Sequence, residues 1–197
     1  MDQERFKKQL DFILEIDKEK NILRQTHLSN GGRREDDAEH AWHLAVMTYL
    51  LSEYSNRKID VAKTMLMTLI HDIVEIDAGE TYAYDAEAKK SEKAREKAAA
   101  DRLFGLLPDD QNEKLRSIWE EFEAYETPEA KFAHVMDNFQ PMLLNHSNHG
   151  GDWKEHGIRR SQTEKRNEKT PEGSAAIWDY MKKILDENVA AGSLIDG

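Results

Sequence analysis

The stretch Leu66–Glu80, "LMTLIHDIVEIDAGE", carries the reading of the whole chain. Its first half is apolar enough for a helix that enters a core. Then His71 and Asp72 stand side by side, with Glu75 one turn later. Adjacent helical residues lie roughly 100° apart, so His71 and Asp72 can reach one ion only from a corner of its site. Glu75, four residues after His71 and three after Asp72, shares their general face. Taken alone, the pair fits a satisfied structural histidine beside a helix end as well as it fits a ligand pair.

Outward from this stretch the pattern is helical. Phe6, Leu10, Ile13 and Leu14 recur at helical spacing over 2–16. Residues 21–37 read as a loop punctuated by Asn30, Gly31 and Gly32. A helix follows over about 38–54, capped by Asp36 or Asp37, with Trp42, Ala45, Val46, Tyr49 and Leu50 as its apolar positions. Asp60 caps the helix that leads into His71. Both helices are apolar over a wide arc, which predicts central positions. Residues 77–90 read as an irregular, partly helical connection. Charged helices are expected over 89–106, anchored by Leu103, Phe104 and Leu107, and over 110–124, with Ile118, Trp119 and Phe122. Thr127 and Pro128 open the next helix, and Pro141 predicts a kink or break within it. Residues 147–157 read as a loop and 156–169 as a short polar helix. A second Thr-Pro pair, Thr170 and Pro171, opens the last helix, and 190–197 is expected to fray. Nothing alternates convincingly at period two. The expectation is one all-α domain of six or seven helices.

Composition narrows the chemistry. The 39 acids and 28 bases give a net charge of -11, which repels nucleic-acid phosphate but leaves room for a small anion in a locally reversed field. The chain has no cysteine, so thiolate catalysis, zinc–thiolate sites and disulfides are excluded, in keeping with a reducing cytoplasm. The opening residues lack the apolar run of a signal peptide, and no apolar run is long enough to span a bilayer.

Other polar residues fall where apolar ones are expected. His40 and His43 lie one turn apart in "DDAEHAWH", and each reads as a core or surface histidine or as a ligand. Asp137 sits inside the apolar helix "FAHVMDNF", where a carboxylate needs a positive partner or a solvent-facing position. Three separate apolar helices thus each carry a nitrogen or oxygen ligand candidate. Two imidazoles and two carboxylates suit a divalent ion such as Mn, Fe, Co, Ni or Zn, with water completing the shell as nucleophile. His134, His146, His149 and His156 are further histidines with no such pattern.

The order His40, His71-Asp72, Asp137, in the contexts "RREDDAEHAWHLAVM", "LIHDIVEIDAGETYAYD" and "EAKFAHVMDNFQPMLL", resembles the HD-domain metal-dependent phosphohydrolase superfamily. It looks most like the branch of bacterial 5'-deoxynucleotidases, over most of residues 10–150. The resemblance implies an all-helical fold and one divalent metal held by His40, His71, Asp72 and Asp137. It implies that Glu75, with Asp72, serves catalysis, and that the substrate is a deoxynucleoside 5'-monophosphate split into nucleoside and phosphate. It also implies a protein that often works as a homodimer. Arg24 resembles the arginine that contacts the substrate phosphate. Glu80 stands where that branch has a sugar-contacting Asp, and Gln25 replaces an aromatic residue, so 2'-deoxy selectivity is left open. Arg33 and Arg34, in a Gly-rich loop, are candidates for the cleft mouth, and Tyr82 and Tyr84 for stacking on a base or for packing. Glu75 is open to three roles: water activation, protonation of the leaving oxygen, or support of His71. Two other enzymatic readings remain, hydrolysis of another small phosphoester and of a nucleoside triphosphate or cyclic bond. A non-catalytic metal- or nucleotide-binding module is the reading from a different class.

Overall fold

The computed structural model describes residues 1–79 and 89–197. The helices are α1 (Gln3–Ile16), α2 (Asp37–Leu51), α3 (Val61–Ile70), α4 (Glu75–Ala78), α5 (Lys89–Phe104), α6 (Asp109–Ala124), α7 (Pro128–Ser147), α8 (Gly151–Glu155), α9 (Arg160–Arg166), α10 (Thr170–Gly173) and α11 (Ala175–Ala190). This is a mostly helical fold with more segments than the six or seven expected. Three of them, α4, α8 and α10, span about one turn each, too short for a 3.6-residue period to show. Residues 147–157, read as a loop, contain α8. The stretch after Thr170 forms two helices rather than one, and Ser174, not Thr170, caps the longer of them by accepting from the Ile177 N–H.

A small antiparallel sheet corrects the expectation that strands are absent. β1 (Leu23–His27) pairs with β2 (Arg34–Asp36), and the segment read as a loop is their hairpin. Strands of five and three residues are too short to display an alternating pattern.

Local chemistry sets the helices that matter for the site. Asp36 caps α2: it accepts from the Glu39 N–H at 2.8 Å, while Glu39 accepts from the Asp36 N–H at 3.2 Å. This reciprocal pair fixes the first turn, which carries His40. Asp60 caps α3 through the Lys63 N–H, and Thr127 caps α7 through Ala130, with Pro128 at the first position. Pro141 removes one backbone donor, yet α7 runs through it to Ser147.

α7 lies between two apolar cores, which explains why apolar residues are buried on two of its sides. Ala130 and Ala133 pack with Met67, Ile70, Phe104 and Trp119 on one side. Phe132, Met136 and Phe139 pack with Leu44, Met181 and Leu185 on the other. The outer helices behave differently from their sequence pattern. On α1 only Phe12 is buried, while Ile13 and Leu14 are 56% and 71% exposed. On α2, Trp42, Tyr49 and Leu50 face outward, each more than 60% exposed, so its wide apolar arc does not mark a fully central helix. Residues 193–195, in the segment expected to fray, are tied down: Leu194 is buried, and Ile195 exchanges backbone bonds with Ile158 and Arg160. Among the described residues no helix is long and apolar enough to cross a membrane.

Candidate metal centre

α2, α3 and α7 converge with their polar residues facing one another. His40 comes from the first turn of α2 and is fully buried. His71 and Asp72 come from the tight turn that ends α3, held there by Trp119, whose indole N–H donates to the His71 carbonyl at 3.2 Å. Asp137 comes from the middle of α7. The donor atoms of His40, His71 and Asp72 all lie within 4.8 Å of one another. Asp137 Oδ1 adds a fourth, 3.1 Å from His40 Nε2 and 3.8 Å from His71 Nε2.

The surroundings decide which ring nitrogen faces the centre. His71 Nδ1 donates to the Thr68 carbonyl at 2.9 Å. Gln140 donates its amide to Glu35 Oε1 at 2.6 Å, which makes Gln140 Oε1 an acceptor. His40 Nδ1, 3.1 Å from that oxygen, is therefore its donor. Glu35 Oε2, 3.5 Å from the same nitrogen, reinforces the arrangement. Both imidazoles thus turn Nε2 toward the carboxylates. His71 Nε2 lies 3.1 Å from Asp72 Oδ2 yet makes no aligned hydrogen bond, although it is buried. Two ring nitrogens and two carboxylates that converge in this way require positive charge between them.

In the bare chain protons supply that charge. Burial opposes protonation, but Asp72 and Asp137 outweigh it and hold His71 well above its ordinary value; His40 is raised as well, through Asp137 and Glu35. Burial likewise opposes ionisation of Asp72 and Asp137, yet the histidines, with Arg24 for Asp72, hold both below the usual carboxylate range. A divalent cation answers the same demand, and the donor set of imidazole nitrogens and carboxylate oxygens suits a borderline metal. The residues present fit a single such ion.

The centre forms the floor of a cleft of about 730 Å³, lined also by Arg24, Glu75, His134 and Trp153. Arg24 is buried, and its Nη1 bridges Asp72 Oδ2 at 2.8 Å and Asp37 Oδ1 at 3.1 Å. Glu75 opens α4 and faces the cleft. Arg33 is not part of that wall; it pairs with Glu39 at 2.5 and 2.8 Å on the surface. Glu80, Tyr82 and Tyr84 lie outside the described residues. His43 is not drawn into the centre; its Nδ1 meets the Gln140 amide at 3.2 Å.

Sequence reasoning missed the supporting groups Glu35, Asp37, Thr68 and Gln140. Gln140 had a readable signal, a polar residue one turn after Asp137 on a buried helix. The Thr68 carbonyl had none, because a main-chain acceptor leaves no trace in residue type. A second cluster, His27, Asp152 and Glu155, was also missed, since it joins a strand to a one-turn helix far along the chain.

Comparison with known proteins bears on this geometry. The HD-domain family profile matches residues 16–178. The chain is 33% identical over 109 residues to the Xenopus laevis 5'-deoxynucleotidase HDDC2, and 28% identical over 114 residues to its Homo sapiens counterpart. These matches take in 55% and 58% of the chain, which spans about half the length of these curated relatives, 53% and 54%. A crystal structure of a "Predicted metal-dependent phosphohydrolase" from Magnetospirillum magnetotacticum superposes with a TM-score of 0.92 at 45% identity. That superposition covers 97% of this chain and 96% of the other.

Proposed function

The chain belongs to the HD-domain family, and from that premise we propose that it is a metal-dependent phosphohydrolase that releases phosphate from (deoxy)nucleoside 5'-monophosphates. The observation that carries the reading is the convergence of two Nε2 atoms and two carboxylates on the floor of an open cleft. The names of the curated relatives support the nucleotide substrate.

His40, His71, Asp72 and Asp137 would hold one divalent cation, which supplies charge for the phosphoryl oxygens and acidity for a water. The chain's own residues do the rest. Water oxygen attacks phosphorus, the bond from phosphorus to the ester oxygen breaks, and that oxygen takes up a proton. Glu75, one turn from Asp72 on the same cleft wall, orients the water, accepts its proton and delivers it to the leaving oxygen. Arg24 holds the Asp72 carboxylate and lines the cleft, which supports its role as the donor to the substrate phosphate. Glu80 and Tyr82 remain our candidates for sugar and base contacts. The same reading places the protein in the cytoplasm as a homodimer of a single catalytic domain; the exposed Trp42 and Tyr49 support a second copy covering that helix.

The test is a substrate panel on cobalt- or manganese-loaded protein, with metal content measured on the same sample. Phosphate release from dAMP or AMP is the expected result, and Asp72→Ala abolishes both occupancy and turnover. A metal-replete protein inert toward mono-, tri- and cyclic nucleotides and sugar phosphates sinks the proposal, and turnover retained in Asp72→Ala sinks the site.

A further inference from the structure

Beside the cleft lies a second cavity of about 260 Å³. The two share Glu123, His134, Asn138 and Arg166 as a common wall. The far wall is built from Tyr125, Lys169 and Thr170. Two cations stand here against a single acid, Glu123, in a chain whose net charge is -11. A locally positive wall in so acidic a protein reverses the field where it matters for a ligand.

These groups are poorly used by the fold itself. Neither Arg166 nor Lys169 forms an ion pair with a carboxylate among the described residues. The Lys169 ammonium lies 5.0 Å above the Tyr125 ring, and the Tyr125 hydroxyl donates to the Lys169 carbonyl at 3.0 Å, which fixes this residue in the wall. Thr170 is 3% exposed, and its buried hydroxyl has no hydrogen-bond partner. His134 sits between the two spaces. Its Nε2–H donates to the Phe122 carbonyl at 3.0 Å.

We propose that this side chamber binds a second phosphate group of the substrate, set apart from the scissile one. A planar guanidinium and an ammonium together offer enough donors for the several oxygens of a phosphate, more than the two of a carboxylate require. The preferred substrate class is then a nucleotide with phosphates at both ends of its sugar. This rests on the reading of the main cleft as a phosphomonoesterase site.

The experiment compares binding of deoxyadenosine 3',5'-bisphosphate and dAMP to cobalt-loaded Glu75→Gln protein by isothermal titration. The bisphosphate binds at least about tenfold tighter, a difference within reach of charge-assisted hydrogen bonds. Adding Arg166→Gln and Lys169→Gln together brings the two ligands to within about twofold of each other, and Lys169→Gln alone, at an exposed position, removes part of the advantage. Equal affinities in the parent overturn the proposal without any further variant. So does an advantage that survives the double substitution. Hydrolysis of dAMP, followed on the unsubstituted protein, reports on the main cleft alone, so failure of either reading is seen separately.

Discussion

Among the described residues two histidine–aspartate clusters stand out, and they have opposite wiring. At His27 and Asp152 the carboxylate is satisfied by its own histidine: Oδ2 accepts the His27 backbone N–H at 3.1 Å, and Oδ1 lies 2.5 Å from the ring Nδ1. The hydrogen bonds close on themselves and pin β1 to α8. At the centre on α2, α3 and α7 the ring donors are led away, to the Thr68 carbonyl and to Gln140. What remains facing the carboxylates is Nε2 from both sides. The same two residue types therefore make a closed hydrogen-bonded pair in one place and a candidate cation site in the other. The groups behind the rings decide which.

Substituting the carboxylate in each cluster gives the largest contrast. Asp137→Asn removes a charged donor that two imidazoles face, and metal affinity is expected to fall by about 100-fold or more, with turnover following it. Asp152→Asn leaves metal content unchanged and lowers stability by roughly 1–3 kcal/mol, the usual range for a damaged buried hydrogen bond. Metal analysis paired with thermal unfolding separates the two. Equal metal loss in both variants would erase the distinction drawn here.

The next effect isolates the wiring itself. Gln140→Leu keeps all four donor side chains but removes the acceptor of the His40 Nδ1–H and the link to Glu35. Metal affinity is expected to drop by about 10–100-fold, the range for loss of a group that orients a ligand. Nitrogen-15 shifts of His40 in the metal-loaded protein provide a second readout, because the wild-type ring keeps its proton on Nδ1 and the variant loses that preference. Unchanged affinity and unchanged shifts would mean that Asp137 alone orients the ring.

How much of this was legible follows from what a sequence displays. The caps Asp36, Asp60 and Thr127 were readable because their side chains act within three residues. The convergence of His40, His71, Asp72 and Asp137 was expected from the family resemblance carried by their order and contexts; polar residues in apolar helices by themselves left structural readings open. The exposure of Trp42, Tyr49 and Leu14 was not, since an apolar residue records what it can cover and not what lies beside it. The β1–β2 hairpin and the one-turn helices escaped for want of length. The arginines divided: Arg24 reaches the cleft because β1 carries it there, whereas Arg33, on the tight turn before β2, meets Glu39 first.

A third buried carboxylate sharpens the comparison, because it has neither a clasp nor a cation. Glu19 is 6% exposed, and its Oε1 has no hydrogen-bond partner. Burial, then the charges of Asp72 and Asp37, push it from 4.5 up to about 8, with His71 pulling only weakly the other way. The folded state thus keeps a proton on Glu19 that the unfolded chain releases. From pH 4.5 to about 8 the folded form binds more protons than the unfolded one, so this group lowers stability as pH rises through that window. Glu19→Gln, neutral at every pH, is expected to raise stability at pH 8 by on the order of 4 kcal/mol and to make no difference near pH 4. Thermal midpoints of chelator-treated wild type and variant across this range test it. Parallel pH profiles would show that Glu19 already shares a cation's field, and the contrast among the three carboxylates would then lose its third member.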